Sequence, residues 1–100
     1  MKRHEIVLRE NGSYLRGYYD KQCNVARVQN LIVNSSHRRK GVGTRLYEQF
    51  LGIVKEQQIP LVVLEVFKFN KVGKKFWAGK GFNIVGETID EYYECEVKLL

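Results

Sequence analysis

Three consecutive cations, followed at once by two glycines around a valine, are the residues of this sequence best suited to chemistry. They lie in NSSHRRKGVGTRL, residues 34–46. The residues concerned are Arg38, Arg39, Lys40, Gly41, Val42, Gly43 and Thr44. At a helix start, unpaired N–H groups and the positive end of the helix dipole bind anions, and glycines let a diphosphate approach them. The segment therefore predicts an anion site, although a solvated basic loop remains an alternative.

The overall charge fits an anion site without identifying the anion. The 17 basic and 11 acidic residues give a net charge of +6, which attracts cofactor phosphates, nucleic acid or an acidic protein alike. The sequence has no GxxxxGK[ST] phosphate loop, and GVGTRL lacks the third glycine of a dinucleotide fingerprint. Cys23 and Cys95 show no ligand spacing with either histidine, so we predict reduced thiols and no bound metal.

The elements that must position the cationic segment can be predicted from periodicity. A length of 100 residues predicts a single domain, residues 1–100. Alternating stretches on both sides of a turn at residues 11–13, and a third stretch after them, predict three antiparallel strands. Apolar residues then recur at helical spacing from Gly41 to before Pro60. The cationic segment thus lies between a strand and the first turn of a helix.

The second half of the sequence completes the predicted fold. The run PLVVLEVFKF, residues 60–69, is almost continuously apolar, as expected of a central strand buried on both faces. A shorter helix that ends at Gly81 and two final strands around a polar turn at residues 87–91 follow it. The predicted order is β-β-β-α-β-α-β-β, an α/β (α+β) fold.

A second motif accompanies the cationic segment and gives the pair a family resemblance. In LEVFKFNKVGKKFWAGKGF, residues 64–82, an asparagine precedes a helical stretch with an aromatic pair and then Gly-Phe. These positions are Asn70, Phe76, Trp77, Gly81 and Phe82. The two motifs resemble those of the GNAT superfamily, the Gcn5-related N-acetyltransferases, whose acetyl-CoA motif R/Q-x-x-G-x-G/A matches residues 38–43. The resemblance covers residues 5–100, as a short form without the usual N-terminal strand and two helices.

The resemblance implies a mixed, mostly antiparallel sheet that splays between its third and fourth strands, residues 24–33 and 61–68. It implies acetyl-CoA as cofactor, with the pantetheine bonded to the free strand edge as an added strand would be. The diphosphate would lie on the amides of residues 39–44, and the second helix would contact the rest. The implied cofactor-binding residues are Leu31, Ile32, Val33, Arg38, Arg39, Lys40, Gly41, Val42, Gly43, Thr44, Asn70, Phe76 and Trp77.

The resemblance also implies an activity, N-acetyl transfer from acetyl-CoA to a primary amine by direct attack within one ternary complex. The acceptor would be a protein or peptide N-terminus, a lysine or a small amine. A base is useful because amines are protonated at neutral pH. By similarity to the ribosomal-protein N-terminal acetyltransferases the base is Glu65, whose burial we expect to raise its pKa; an ion pair with a cation such as Lys68 is the alternative.

Two departures from the family pattern bear on activity. Trp77 occupies the position of a tyrosine, and an indole cannot deliver a proton to the departing thiolate, so solvent, the substrate ammonium, Tyr92 or Tyr93 would have to do so. The sequence also begins at what would be the second family strand, which implies an open acceptor side that a second copy or a partner protein could cover.

Two other functions compete with acetyl transfer at this level. One is a non-catalytic or weakly catalytic acetyl-CoA-binding module that regulates a partner protein. The other is nucleic-acid binding through KFNKVGKKFWAGK, residues 68–80, where cations alternate with aromatic residues. We favour it least, because the second motif explains the same residues. The N-terminal residues show neither a signal peptide nor a membrane span, so we expect a cytoplasmic protein that does not act in a membrane.

Overall fold

A computed structural model describes residues 2–38 and 40–99 of the chain. Its strands and helices follow the predicted order, with a short 3₁₀ turn at Ser35–His37 before the first helix. The strands are β1 (Arg3–Glu10), β2 (Ser13–Asp20), β3 (Val25–Ile32), β4 (Leu61–Phe67), β5 (Asn83–Glu87) and β6 (Tyr92–Lys98). The helices are α1 (Val42–Glu56) and α2 (Lys71–Gly79). The predicted α/β fold and element order are confirmed.

The six strands form one mixed sheet in the order β1-β2-β3-β4-β6-β5. All neighbouring strands are antiparallel except β3 and β4, which are parallel because helix α1 crosses between them. Asn11 and Gly12, both with positive φ, make the tight turn between β1 and β2. The mostly antiparallel sheet is thus as predicted.

Strands β3 and β4 pair over three residues only, the last pair being Arg27 and Val63. Beyond that pair they diverge, which confirms the predicted splay. A bulge accompanies the divergence, because Arg16 of β2 lies opposite Asn30 and Gly17 opposite Val28, which leaves Gln29 as an extra residue in β3. Such a bulge bends its strand and increases its local twist.

Both helices pack on one face of the sheet. Helix α1 lies so close to β2 that a Cβ added to Gly17 would be 2.9 Å from the ring of Phe50. Tyr47 of α1 contacts Trp77 of α2 edge to face, with ring centroids 5.3 Å apart. Both helices therefore share one core with residues of the strands. We call the opposite side of the sheet the open face.

The burial of β4 corrects a prediction. Its buried residues are Val62, Leu64 and Val66, whereas the alternate positions are half-buried or exposed, Glu65 and Phe67 among the exposed ones. The strand is therefore not buried on both faces. Its apolar sequence suggested a strand covered by helices on two sides, but in the described residues both helices lie on the side of Val62.

Candidate cofactor and active site

A groove of about 750 Å³ opens where β3 and β4 diverge, between the start of α1 and the start of α2. It brings together eleven of the residues that the sequence predicted: Leu31, Ile32, Val33, Arg38, Gly41, Val42, Gly43, Thr44, Asn70, Phe76 and Trp77. Lys40 is exposed beside the groove and does not line it. Arg39 lies outside the described residues. The two motifs, far apart in sequence, thus form one site.

The first turn of α1 offers its backbone N–H groups to the groove. Gly41 is the N-cap residue, no side chain caps the helix, and its first turn contains no acidic residue. By contrast, the Asn70 side chain accepts a hydrogen bond from the Gly73 N–H at the start of α2. The uncapped amides at Val42 to Thr44, with exposed Arg38 beside them, make an anion site.

The two glycines of the motif have different structural reasons. Gly41 has φ of 75°, in the left-handed region that favours glycine. Gly43 lies where three elements meet, because a Cβ there would be 3.4 Å from Phe76 and 3.5 Å from Val33. Gly41 allows the chain to turn into the helix, and Gly43 leaves room where α1, α2 and the end of β3 meet. Access for a diphosphate, the reason predicted from the sequence, is therefore not the only role of Gly41.

The divergence of the strands leaves an edge of β3 free. Residues 28–32 of β3 have no pairing with β4 in the part of the chain that the structure describes. Leu31, Ile32 and Val33 line the groove along this edge. A strand edge with unpaired N–H and C=O groups binds an extended ligand as an added strand. The groove therefore combines an anion site with a site for an extended, amide-bearing chain.

Two groove residues were missed from the sequence, Val72 and Gly73 in the first turn of α2. Val72 is the more informative, because an apolar side chain that is 82% exposed at the mouth of a groove favours contact with a ligand. Its position two residues after Asn70 was the signal available. Asn70 itself has a structural role as the N-cap of α2 besides its place in the groove.

Two cations that we had not singled out hold the anion site in place. The guanidinium of Arg45 donates to the carbonyl oxygen of Lys40 over 2.9 Å and also bonds Glu10 at the end of β1. The Lys80 ammonium donates to the Thr44 hydroxyl oxygen over 2.9 Å and thereby links the end of α2 to the first turn of α1. Such contacts cannot be found from sequence spacing, since the pairs are up to 36 residues apart.

Trp77 is part of an aromatic cluster and lines the groove from there. It is 9% exposed and contacts Phe76, Phe82 and Tyr47 edge to face. The Tyr47 hydroxyl is buried without a hydrogen-bond partner in the described structure, and this burial raises its pKa to about 12. The indole thus packs α2 against α1 and the sheet.

Glu65 is exposed, so the expectation that its carboxyl group is buried is wrong. It lies on the open face, two residues beyond Val63, the last residue of β4 that pairs with β3. It does not line the groove, whose helix-side walls belong to α1 and α2. Because the splay separates the strands at this level, Glu65 lies at the opening between the groove and the open face.

The alternative for Glu65, an ion pair with Lys68, is wrong. Lys68 pairs with Glu87, and with Glu91 at 3.4 Å, and the hydrogen bond to Glu87 raises the Lys68 pKa. The cross-strand neighbour of Glu65 is Glu94 of β6.

The two tyrosines considered as proton donors point to different sides. Tyr92 lies opposite Phe67, on the same face as Glu65, with the two rings 5.4 Å apart. Tyr93 lies opposite Val66, on the helix side, and its ring faces the ammonium groups of Lys68 and Lys74 at 5.8 Å. Of the two phenols, only that of Tyr92 shares a face with Glu65.

The described residues also bear on metal binding and on membrane insertion. No group of three or more His, Cys, Asp or Glu side chains that could hold a metal ion occurs within residues 2–38 and 40–99. None of the helices described there is both long enough and apolar enough to cross a membrane.

The groove combines a helix start suited to an anion with a free strand edge. Comparison with known families gives the class of protein. The acetyltransferase (GNAT) family model matches residues 8–82, three quarters of the chain. The chain therefore belongs to the GNAT family of acetyltransferases, whose cofactor is acetyl-CoA. Comparison with the curated proteins found no match.

Solved structures show the same fold at low sequence identity. PaiA N-acetyltransferase from Thermoplasma acidophilum, in complex with coenzyme A, matches with 23% identity and a TM-score of 0.78, over 86% of this chain and 52% of that one. Ard1 from Thermoplasma volcanium matches with 26% identity and a TM-score of 0.78, over 88% and 63% of the two chains. The ribosomal-protein-S18-alanine N-acetyltransferase from Escherichia coli matches with 18% identity and a TM-score of 0.79, over 97% and 69%. The chain spans less than two thirds of the length of the first two.

The groove has the features that acetyl-CoA requires. An uncapped helix start with adjacent Arg38 suits the diphosphate, and a free strand edge suits the amides of pantetheine. Any large side chain at position 43 would block the approach of the cofactor to the start of α1. The residues present therefore fit this cofactor.

Proposed function

We propose that the protein is an acetyl-CoA-dependent N-acetyltransferase that acts on a primary amine: a protein or peptide N-terminus, a lysine or a small amine. The observation that carries the proposal is the groove in which an uncapped helix start meets the free edge of β3. Acetyl-CoA would supply an activated thioester. The chain's own residues would bind it, orient it and move the protons.

In this proposal each wall of the groove has one task. The N–H groups of Val42 to Thr44, with Arg38 and the neighbouring Arg39 and Lys40, hold the diphosphate. The backbone of Leu31 to Val33 bonds the pantetheine, and an N–H near Val33 stabilises the oxyanion that develops during attack. Val72 and Phe76 of α2 contact the apolar parts of the cofactor from the other side. The thioester then lies toward the opening beside Glu65.

The acceptor amine would arrive from the open face, because the helix side of the splay is occupied by the groove. Glu65 lies at that opening, at a level of the sheet where β3 and β4 are no longer paired. Its carboxylate accepts a proton from the ammonium, directly or through water, so that a neutral amine attacks. Water can reach an exposed carboxylate and carry protons to and from it. The exposure of Glu65 therefore suits a base that works on a solvated amine.

The departing thiolate needs a proton from another group than Trp77. An indole N–H donates a hydrogen bond but does not release its proton at these pH values. Tyr92 shares the face of Glu65 and is the phenol best placed to serve. Solvent and the proton taken from the acceptor amine are the other sources.

Turnover and binding measured side by side test the proposal. We expect Glu65→Gln to lower kcat about 100-fold or more, the usual effect of losing a general base, with the Kd for acetyl-CoA unchanged. Glu48→Gln, on the exposed side of α1, removes the same charge away from the site and serves as the control. Acetylation of amines and peptides is followed by release of the free thiol, and Kd by calorimetry. Full turnover by Glu65→Gln would exclude this residue as the base.

A second function is supported by one observation, the packing of Trp77 in the aromatic cluster, at the position where the family resemblance implies a tyrosine. The protein would then be an acetyl-CoA-binding module, weakly catalytic or inactive, that regulates a partner. Tight acetyl-CoA binding with no transfer to any of a panel of amines, peptides and proteins supports the module. Transfer that depends on Glu65 supports the enzyme.

A further inference from the structure

We infer that strand β1 is a self-complementary interface through which two copies of the chain join their sheets. The strand forms one edge of the sheet and, among the described residues, pairs with β2 only. Its other side therefore presents a row of unpaired backbone N–H and C=O groups along residues 3–9, within the described part of the chain.

The two edges of the sheet differ in how they are protected against pairing. Strand β5, at the far edge, has five residues and a bulge at Val85, since Ile84 lies opposite Cys95 and Gly86 opposite Glu94. Short length and bulges are common devices that prevent edge-to-edge association. Strand β1 is longer, contains no proline, and pairs with β2 in unbroken register from Arg3 to Glu10. Only the β1 edge is regular enough to accept another strand.

Symmetry limits the registers that two copies of β1 can adopt. An antiparallel pair of identical strands has its two-fold axis perpendicular to the sheet, and residues directly opposite each other point to the same face. The two residue numbers in each pair must then add up to an even number. Registers that keep five or more residues of the strand paired are centred on Glu5, Ile6, Val7 or Leu8. With Glu5 on the axis, this carboxylate would lie opposite its own copy, and like charges directly opposite are destabilising.

The charges of the strand favour one of these registers. With Ile6 on the axis, Arg3 would lie opposite Arg9 of the second copy, and like charges directly opposite are destabilising. With Leu8 on the axis, apolar Val7 would lie opposite Arg9. With Val7 on the axis, Glu5 of each copy lies opposite Arg9 of the other copy. The last register alone pairs opposite charges.

The remaining positions of the Val7 register also match. Val7, 49% exposed in one chain, lies against its own copy on the axis, and Ile6 lies opposite Leu8 on the helix side. Glu5 and Arg9 are exposed and have no ion-pair partner in one chain, within the part that the structure describes. Pairing would give both a partner and would cover the largest exposed apolar side chain of the strand. The two helix layers would lie on the same side of the joined sheet.

A charge-swap experiment on the full chain tests this interface. The wild type, at about 100 µM chain, should show a mass approaching twice the monomer mass of 11.7 kDa by light scattering, since a Kd of about 10 µM leaves roughly a fifth of the chains monomeric. Dilution should dissociate it with a Kd of about 10 µM, because one strand pair buries less area than a standard interface. Glu5→Arg and Arg9→Glu should each raise Kd at least about tenfold by placing like charges opposite each other.

The double variant Glu5→Arg with Arg9→Glu restores the opposite pairs and should return Kd to within about threefold of the wild type. Glu48→Arg makes the same charge change on α1 and should leave Kd unchanged. Thermal unfolding of each variant checks that the fold is intact. A wild type that remains monomeric at this concentration overturns the interface. Dimers that the single swaps do not weaken, or that the double swap does not restore, overturn it equally.

Discussion

The guanidinium of Arg45 donates a hydrogen bond to the backbone carbonyl of Lys40, 2.9 Å away, directly before the left-handed turn at Gly41. The same guanidinium bonds the carboxylate of Glu10 at the end of β1. One side chain from the first turns of α1 thus fixes the loop that precedes the helix and ties it to the sheet. The uncapped amides of the helix start are positioned by this bridge.

We expect Arg45→Gln to weaken acetyl-CoA binding more than it weakens the fold. An ion pair this exposed contributes little to stability, because solvent screens it. A loop that is free to leave its position binds the cofactor less well, and we expect about a tenfold rise in Kd. Calorimetric titration gives Kd, and urea unfolding gives the free energy of unfolding.

The matched control is Arg16→Gln on the open face, which removes the same charge from an exposed strand position away from the loop. It should leave Kd within about twofold, since charges beyond a Debye length are largely screened at physiological salt. Equal losses of affinity in both variants would mean that Arg45 acts through net charge alone and does not position the loop.

The two glycines of the anion motif should respond to alanine in different ways. Gly41→Ala places a side chain in the left-handed region and should cost about 1–3 kcal/mol of unfolding free energy. Gly43→Ala should be close to neutral, because its Cβ would make ordinary contacts and alanine favours helix. Gly52→Ala, in mid-helix with open space around it, should gain about 0.5–1 kcal/mol. Urea unfolding of the three variants decides; a costly Gly43→Ala would contradict the packing described.

Local pattern was sufficient to predict most of this fold. The turn at Asn11 and Gly12, the helical spacing from Val42 and the stop at Gly81 depend on neighbours in sequence, and each was predicted within a few residues. The burial of β4 was not, because an apolar run does not show how many faces a strand buries. The bulge at Gln29 depends on the pairing of two strands and left no sequence signal.

The site was predictable where backbone conformation defines it and unpredictable where long-range contacts do. The groove collects residues from both motifs, since each motif lies at an element boundary that the fold brings to one place. The exposure of Glu65 and the contacts of Arg45 and Lys80 depend on which side chains meet across the fold. Those meetings are set by tertiary packing, which the spacing of residues in one sequence does not encode.

Removing the buried hydroxyl of Tyr47 should stabilise the protein. That hydroxyl has no hydrogen-bond partner in the described structure, and an unsatisfied buried polar group costs free energy. We expect Tyr47→Phe to raise the free energy of unfolding by about 1 kcal/mol, which corresponds to about 4–8 °C in Tm for a domain of this size. Tyr14→Phe, at a half-buried position, is the control and should change Tm little. A marked loss of stability in Tyr47→Phe would reveal a partner for the hydroxyl.

The same tyrosine should make the protein sensitive to alkali. Burial raises the Tyr47 pKa from 10.0 to about 12, so between these values the folded state holds a proton that the unfolded state has released. The Tyr47 proton leaves the free energy of unfolding unchanged below pH 10. That free energy then falls as pH rises from 10 through about 12. The free energy of unfolding should therefore fall less steeply from pH 9.5 to 11.5 in Tyr47→Phe than in the wild type, as measured by urea titration at each pH. Parallel slopes would contradict the raised pKa.

The two cysteines should differ strongly in reactivity toward a thiol reagent. Cys23 is exposed, whereas Cys95 is 4% exposed and its burial raises the pKa of the thiol, which lowers the thiolate fraction that reacts. We expect one thiol per chain to react rapidly in the folded protein. The second should react at least about 100-fold more slowly, since its reaction requires local opening. Cys23→Ser should abolish the fast phase, and Cys95→Ala should leave it unchanged. Two equally fast thiols in the native protein would show that Cys95 is open to solvent on the α2 side of the core, where it lines a pocket with Lys74 and Ala78.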